Sequence, residues 1–190
     1  MNNYVRSLYN PLMPDIMHYN LLITTFRNGE SDAYDELYEL LFMLGDSEPS
    51  IEITSISGII LASTHLDPIL IVENCREIVR NEPWRFRYVL RIIPLEKICK
   101  AEIMEIHNVV KQLRKKIGLD ETYKVMIEKR HTKLHSKEII STVTSDIDVK
   151  VKLDDPDWII LIQILNRLAG ISILTSNQIF SSVKEKISFQ

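Results

Sequence analysis

The chain has 190 residues, 45% of them hydrophobic and 26% charged, and this composition excludes an intrinsically disordered protein. Its apolar runs fall well below the ~20 residues that a bilayer requires, and its two cysteines exclude a disulfide scaffold or a four-cysteine zinc site. The net charge of −3 combines two unlike halves, because residues 1–75 hold two basic and eleven acidic residues (−9) and residues 76–190 hold 21 basic and 15 acidic residues (+6). We therefore expect a cytoplasmic protein without a membrane segment, and the basic second half keeps nucleic acid among the candidate partners.

The first half of the sequence predicts a run of short strands and helices after a lead-in, residues 1–19, that has no clear periodicity. The apolar run Leu21–Phe26 predicts a strand, and leucines at three- and four-residue spacing over 37–44 predict a helix. Two strands joined by a turn at Ser57-Gly58 and a helix that starts at Asp67-Pro68 follow.

The last element of this half is predicted to be a strand over Phe86–Ile93, in which aromatic and aliphatic side chains alternate with arginines. The resulting order is strand, helix, strand, strand, helix, strand, which is the split βαβ arrangement of ferredoxin-like domains. We therefore predict a ferredoxin-like βαββαβ domain over residues 20–94, in a protein of the α/β (α+β) class.

The second half predicts a small α/β domain over residues 95–190. Its apolar residues first step by three or four, and a later run is apolar throughout, as in a strand buried on both faces. In chain order the predicted elements are a helix over 95–117, a strand over 123–130, a helix from Ser136, and strands over 158–165 and 169–174.

Basic residues concentrate at the end of the predicted strand 123–130, in the loop after it and at the start of the next helix. Flexible cations beside the free N–H groups of a helix N-terminus suit phosphate binding. A second group would share one face of the predicted helix 95–117, although such a stripe is more often only a solvated face. Arg85, Arg87 and Arg91 would line one side of the preceding strand, where they could instead pair with Glu82 or with acidic residues of the first half. The candidate nucleic-acid contacts are Lys129, Arg130, His131, Lys133, Lys137, Lys100, Lys111, Arg114, Arg85 and Arg87.

No motif in the sequence points to catalysis or to a bound cofactor. Five glycines cannot supply a dinucleotide fingerprint or a P-loop. His131 and His135 have the spacing of a metal pair on a helix, but Thr132 stands where a zincin motif carries Glu, so loop histidines or RNA contacts are the better explanation. Cys75 and Cys99 lie in apolar-periodic stretches and are predicted to be buried structural thiols. We expect no catalytic residue, no metal and no cofactor.

Five stretches of the chain resemble the core of the THUMP domain, a module that binds RNA in tRNA-modifying enzymes. They are Ile93–Ile98, Glu128–Ile140, Pro156–Trp158, Ala169–Ser172 and Phe180–Lys184. The resemblance implies a preceding ferredoxin-like domain, which agrees with the order of elements above, and a grip on the acceptor stem and 3′ end of tRNA. The basic positions that it marks as phosphate contacts are Lys129, Arg130, Lys133 and Lys137.

Two further stretches, Ser57–Leu61 and Glu82–Tyr88, resemble the stand-alone THUMP proteins that assist tRNA cytidine acetylation. This resemblance implies a non-catalytic tRNA-binding adaptor whose partner, a separate RNA cytidine acetyltransferase, supplies the acetyl-CoA and helicase chemistry. The acidic first half would then repel RNA or meet that partner. Two alternatives stay open: a small RNA-modifying enzyme whose site the motifs do not reveal, and a protein-interaction module that does not bind RNA by itself.

Overall fold

The computed structural model describes residues 18–188, so the lead-in lies almost entirely outside the described residues. This part of the chain contains ten strands and five α-helices. The strands are β1 (Leu21–Thr24), β2 (Ser50–Ile53), β3 (Ile59–Ser63), β4 (Arg91–Pro94), β5 (Lys97–Lys100), β6 (Thr122–Arg130), β7 (Lys150–Val151), β8 (Trp158–Leu165), β9 (Leu168–Leu174) and β10 (Phe180–Ser181). The helices are α1 (Glu30–Met43), α2 (Pro68–Asn81), α3 (Ile103–Leu113), α4 (Ser136–Thr144) and α5 (Ser182–Ser188).

The first four strands and the first two helices have the order expected of a ferredoxin-like unit. The strands lie side by side as β4-β1-β3-β2, and every neighbouring pair is antiparallel. Asp67 caps α2, since its side chain accepts a hydrogen bond from the N–H of Ile69 at 2.8 Å. The predicted α+β fold class is confirmed.

The second sheet has the order β5-β9-β8-β6-β7. β6 is parallel to β7 and β8, whereas β8 pairs antiparallel with β9 and β9 with β5. Side chains of β8 alternate, so that Ile159 and Leu161 pack against the first sheet while Ile160 and Ile162 pack against α3 and α4. The strand is buried on both faces, as predicted, and the molecule has four layers: α1 with α2, the first sheet, the second sheet, and α3 with α4.

The strand predicted over residues 86–93 is wrong in its first part, because the observed strand, β4, covers only Arg91–Pro94. The N–H groups of residues 87–89 instead donate to the carboxylate of Glu36 on α1, at 2.9, 3.0 and 2.9 Å. N–H groups that bind a carboxylate cannot pair with a strand. The alternating pattern of this segment therefore does not reflect a place in the sheet.

The long helix predicted over 95–117 is wrong in its first part. Lys97–Lys100 is strand β5, and α3 covers only Ile103–Leu113 before a 3-10 turn. A four-residue strand is too short for its own period to stand out beside the three- and four-residue spacing of the helix after it. Lys100 consequently lies on a strand and not on one helical face with the basic residues of α3.

The C-terminal segment returns to the first sheet. β10 pairs antiparallel with β4, and Phe180 is fully buried beside Phe86, with ring centroids 4.8 Å apart. Helix α5 lies against α2, where a Glu185 carboxylate oxygen is 2.7 Å from Nε of Arg76. The division into domains 20–94 and 95–190 stays a prediction, to which the structure adds that β10 and α5 complete the first sheet and its helical layer.

Candidate nucleic-acid interface

Four strand ends meet at one edge of the second sheet. β6 and β8 run parallel and both end there, next to the turn between β8 and β9. In this turn Asn166, at φ +54°, donates its N–H to the carbonyl of Arg130 at 3.0 Å, and the N–H of Ala101 donates to the carbonyl of Arg167 at 2.8 Å. The ends of β5 and β6 therefore lie beside the turn.

This edge forms one wall of a groove of about 1230 Å³, and the end of β2 in the first sheet forms the other. Much of the floor is apolar and includes Leu22 and Leu61 of the first sheet and Leu165 of the second. The carboxylates of Glu52 and Glu102 also line the groove. Its basic lining residues are Lys100, His131, Lys133 and Arg167.

Arg167 and Gln163 line the groove but are absent from the candidates that the sequence provides. Predicted strands over 158–165 and 169–174 leave a three-residue gap, and such a gap indicates a hairpin turn that presents Arg167. Gln163 lies within the apolar strand β8; its side chain is fully buried, and its Nε2 has no hydrogen-bond partner among the described residues. An unpaired buried donor costs about 1–3 kcal/mol. An acceptor atom supplied by a ligand in the groove would relieve that cost.

Lys129 and Arg130 occupy successive positions of β6, so they point to opposite faces of the sheet. The Lys129 ammonium donates to the carbonyl of Leu134 at 2.7 Å, which ties the end of the 131–134 loop to the strand. Lys129 thus positions the loop that carries His131 and Lys133 to the groove.

Arg130 is half-buried between the two sheets. One guanidinium nitrogen lies 3.4 Å from the side-chain oxygen of Gln163, and another lies 3.6 Å from Glu128. The same Glu128 carboxylate accepts two hydrogen bonds from Arg91 of the first sheet, at 2.9 and 3.1 Å. Two guanidinium groups therefore share one carboxylate, which links the sheets and leaves an excess positive charge near the groove.

Helix α4 begins immediately after the loop at the groove. It starts at Ser136, and within residues 18–188 no side chain caps the free N–H groups of its first turn. Lys137 is exposed in that turn, and Lys133 is exposed in the loop before it. N–H and ammonium groups together can hold a phosphate here.

Two basic candidates lie in the outer layer that α3 and α4 form. Lys111 Nζ is 3.0 Å from Asp146, and the hydrogen bond from this ammonium holds the pKa of the Asp146 carboxyl below its usual value. The buried His107 contacts the same carboxylate at 3.3 Å. Arg114 lies in the 3-10 turn after α3. Neither Lys111 nor Arg114 lines the groove.

Arg85 and Arg87 lie in the first unit, away from the basic loop. Arg85 forms an ion pair with Glu82, which the sequence analysis names as a possible partner. Both arginines line a second, smaller pocket against the exposed face of α1. The structure therefore separates them from the residues at the groove.

Both cysteines, the candidate nucleophilic thiols of the chain, are buried. Burial raises the pKa of the Cys99 thiol to about 12 and that of the Cys75 thiol further still, so neither is a thiolate near neutral pH. Within residues 18–188, no three histidine, cysteine or acidic side chains are grouped so that they could hold a metal ion. No helix in this part of the chain combines the length and apolar character that crossing a membrane requires.

Comparison with known proteins agrees with this architecture. Residues 100–174, which include every basic residue of the groove, match the family model of the THUMP domain. This match indicates RNA binding in tRNA modification. The sequence matches no curated protein.

Among solved structures, the chain is similar to PH1313 from Pyrococcus horikoshii Ot3, with a TM-score of 0.58 and 17% identity over 82% of this chain and 54% of that one. It is also similar to TrmN from Thermus thermophilus, with a TM-score of 0.54 and 12% identity over 80% of this chain and 44% of that one. A 4-thiouridine synthetase in complex with RNA and ATP matches with a TM-score of 0.48 and 11% identity, over 86% and 42%. At these identities the likeness is one of fold, and the chain spans about half the length of the first two structures.

Proposed function

We propose that this protein is a tRNA-binding adaptor. It holds the acceptor stem and 3′ end of tRNA and presents the RNA to a separate RNA cytidine acetyltransferase, which forms N4-acetylcytidine. The observation that carries the proposal is the groove: its basic residues lie in the segment that matches the THUMP domain, and they converge where four strand ends meet.

The groove suits a single-stranded RNA end. Proteins hold such ends with cations along the backbone and with flat or apolar surfaces under the bases. The groove offers cations at its rim, the apolar floor described above and the ring of Tyr19 in its lining. Because α4 begins beside the rim, Lys133 and Lys137 are placed to contact phosphates of the adjoining acceptor duplex. The 3′ end would then enter the groove while the duplex lies across the start of α4.

Gln163 gives this site a donor that a nucleotide can pair. Its unpaired Nε2 belongs to a side chain that lines the groove, and base and sugar oxygens are suitable acceptors. A hydrogen bond from this amide to RNA would remove the energetic cost of the unpaired donor. The bound state would then be stabilised relative to the free protein.

The binding experiment compares intact tRNA, tRNA lacking its 3′ tail and duplex DNA of equal length, across a salt series. We expect intact tRNA to bind tightest and to lose at least about tenfold in affinity on trimming, because the trimmed RNA no longer reaches the groove. Equal affinity for the three ligands would show that the protein binds nucleic acid only through nonspecific attraction to a basic surface. Absence of binding would favour a module that acts only through protein contacts.

In this proposal the partner carries out the chemistry, and the burial of both thiols argues against a cysteine nucleophile in this chain. Purified protein with tRNA and acetyl-CoA should leave the RNA unmodified, whereas adding it to the acetyltransferase should raise the yield of acetylated tRNA. Modification of tRNA by the protein alone would establish the enzymatic alternative.

A further inference from the structure

The exposed face of α1 and the segment after α2 form a surface that the RNA site does not use. Its carboxylates are Asp32, Asp35 and Glu39, which follow one another at three- and four-residue spacing. Met43 continues this stripe, and Trp84 and Tyr88 stand opposite it across a pocket of about 330 Å³. These six residues define what we call the acidic-aromatic surface.

Large apolar side chains are unusually exposed here. Trp84 is 60% exposed and Phe42, beside the stripe on α1, is 59% exposed. Phe42 stacks on Tyr38, with ring centroids 6.4 Å apart and planes inclined by 15°. Exposed aromatic side chains on both sides of one acidic stripe are typical of interaction sites in soluble proteins.

The segment that carries Trp84 and Tyr88 is fixed in place. The Glu36 carboxylate accepts three successive backbone N–H groups of residues 87–89, and Phe86 is buried in the core. The ammonium of Lys186 on α5 donates to the carbonyl of Phe86 at 2.6 Å. The two aromatic rings are therefore presented by a braced backbone, which lowers the entropic cost of binding a partner.

The charges at this surface favour a cationic partner. Arg85 is paired with Glu82, so these two charges balance, whereas Glu36 accepts hydrogen bonds only from neutral backbone N–H groups and keeps its negative charge. Asp32, Asp35 and Glu39 form no ion pair with any of the described residues, and together with Glu36 they outnumber the two nearby cations without a carboxylate partner, Arg87 and Lys186. This excess of negative charge repels phosphates.

We propose that the acidic-aromatic surface docks a protein segment that combines lysine or arginine with an apolar side chain. The carboxylates would pair with the cation, whose charge can also lie over the Trp84 ring. Met43 and Phe42 would receive the apolar side chain. This inference rests on the adaptor function, in which the segment belongs to the acetyltransferase. Because the surface lies in the helical layer across the first sheet from the groove, the partner and tRNA can bind together.

The test measures the affinity of the full-length protein for the acetyltransferase, by calorimetry, in two variants. Asp35→Asn with Glu39→Gln removes two charges from the surface, and Trp84→Ala removes the ring. We expect each to weaken the complex at least about tenfold while leaving the affinity for tRNA unchanged. The matched control, Asp148→Asn with Asp154→Asn, makes the same charge change at exposed positions of the second unit and should bind as the unaltered protein does.

The remaining outcomes separate this inference from the function on which it rests. A complex of unchanged affinity in both variants would place docking elsewhere and leave the adaptor function standing. Loss of tRNA affinity in either variant would show that the surface binds RNA, which overturns the inference. Failure of the unaltered protein to bind the acetyltransferase would contradict the adaptor function, and the inference would fall with it.

Discussion

Ion pairs divide the basic residues of the second half into two groups. Lys111 and Arg130 already have carboxylate partners, so a phosphate would have to compete with those partners. Six lysines and arginines at or near this half's candidate positions form no ion pair with another described residue: Lys100, Arg114, Lys129, Lys133, Lys137 and Arg167. Three of them, Lys100, Lys133 and Arg167, converge on the groove, and this convergence is why we assign RNA binding there and not to basic residues in general.

Asp46 should make the stability of the fold depend on pH. Burial alone would raise the pKa of this carboxyl, but hydrogen bonds from the Thr64 hydroxyl and the Glu48 N–H, together with nearby His65, outweigh burial and lower it. A lowered folded-state pKa means that the carboxylate stabilises the fold above the unfolded-state pKa, and that this contribution is lost as the pH falls through the folded-state pKa.

We therefore expect the free energy of unfolding to fall more steeply below about pH 4 in the unaltered protein than in Asp46→Asn. Urea denaturation at a series of pH values measures this difference. Parallel pH profiles for the two proteins would show that Asp46 does not carry the effect.

Among the elements, β10 should contribute far more than its two residues suggest. Phe180 fills the core between the first sheet and α2, so Phe180→Ala should cost about 3–5 kcal/mol of unfolding free energy. Val183→Ala, at an exposed position two residues into α5, should change stability by less than about 0.5 kcal/mol. Equal effects of the two substitutions in denaturant titrations would contradict the role of β10 as part of the first unit.

Elements with strong local signals could be predicted from the sequence, and elements that depend on a distant partner could not. The Asp67-Pro68 start of α2 and the apolar run of β8 carry their own signals. β10 forms by pairing with β4, which is distant in sequence. Residues 87–89 lie outside the sheet because their N–H groups bind the carboxylate of Glu36. Such long-range contacts leave no periodic pattern in the segments themselves.

For the whole molecule, the contact between the sheets predicts cooperative unfolding. Leu22 and Leu61 of the first sheet and Leu161 of the second belong to one buried cluster. Trp84 and Trp158 report on different units, so the variants Trp158→Phe and Trp84→Phe give one fluorescent reporter each. Circular dichroism gives the global unfolding midpoint of each variant. We expect the fluorescence midpoint of each variant to equal this global midpoint. Two separate transitions would show that the units unfold independently.

The groove is also a property of the whole molecule, which limits how far it can be predicted. The basic loop at 129–137 is visible in the sequence, and so are most of the residues that reach the groove from it. Arg167 and Gln163 come to it through the hairpin of β8 and β9, and the opposite wall comes from the first sheet. No local sequence pattern indicates that residues of the first sheet form a wall of this groove.

The central claim, that tRNA binds at this groove, is tested most directly by two double variants with the same change in charge. Lys133→Ala with Arg167→Ala removes two cations from the rim, and Lys150→Ala with Lys152→Ala removes two exposed cations at the opposite end of β6. We expect the rim variant to lose at least about tenfold in affinity for intact tRNA and to lower the slope of log affinity against log salt by about 2, with little change in the other variant. Equal losses in both variants would show that tRNA responds to net charge and would contradict a site at the groove.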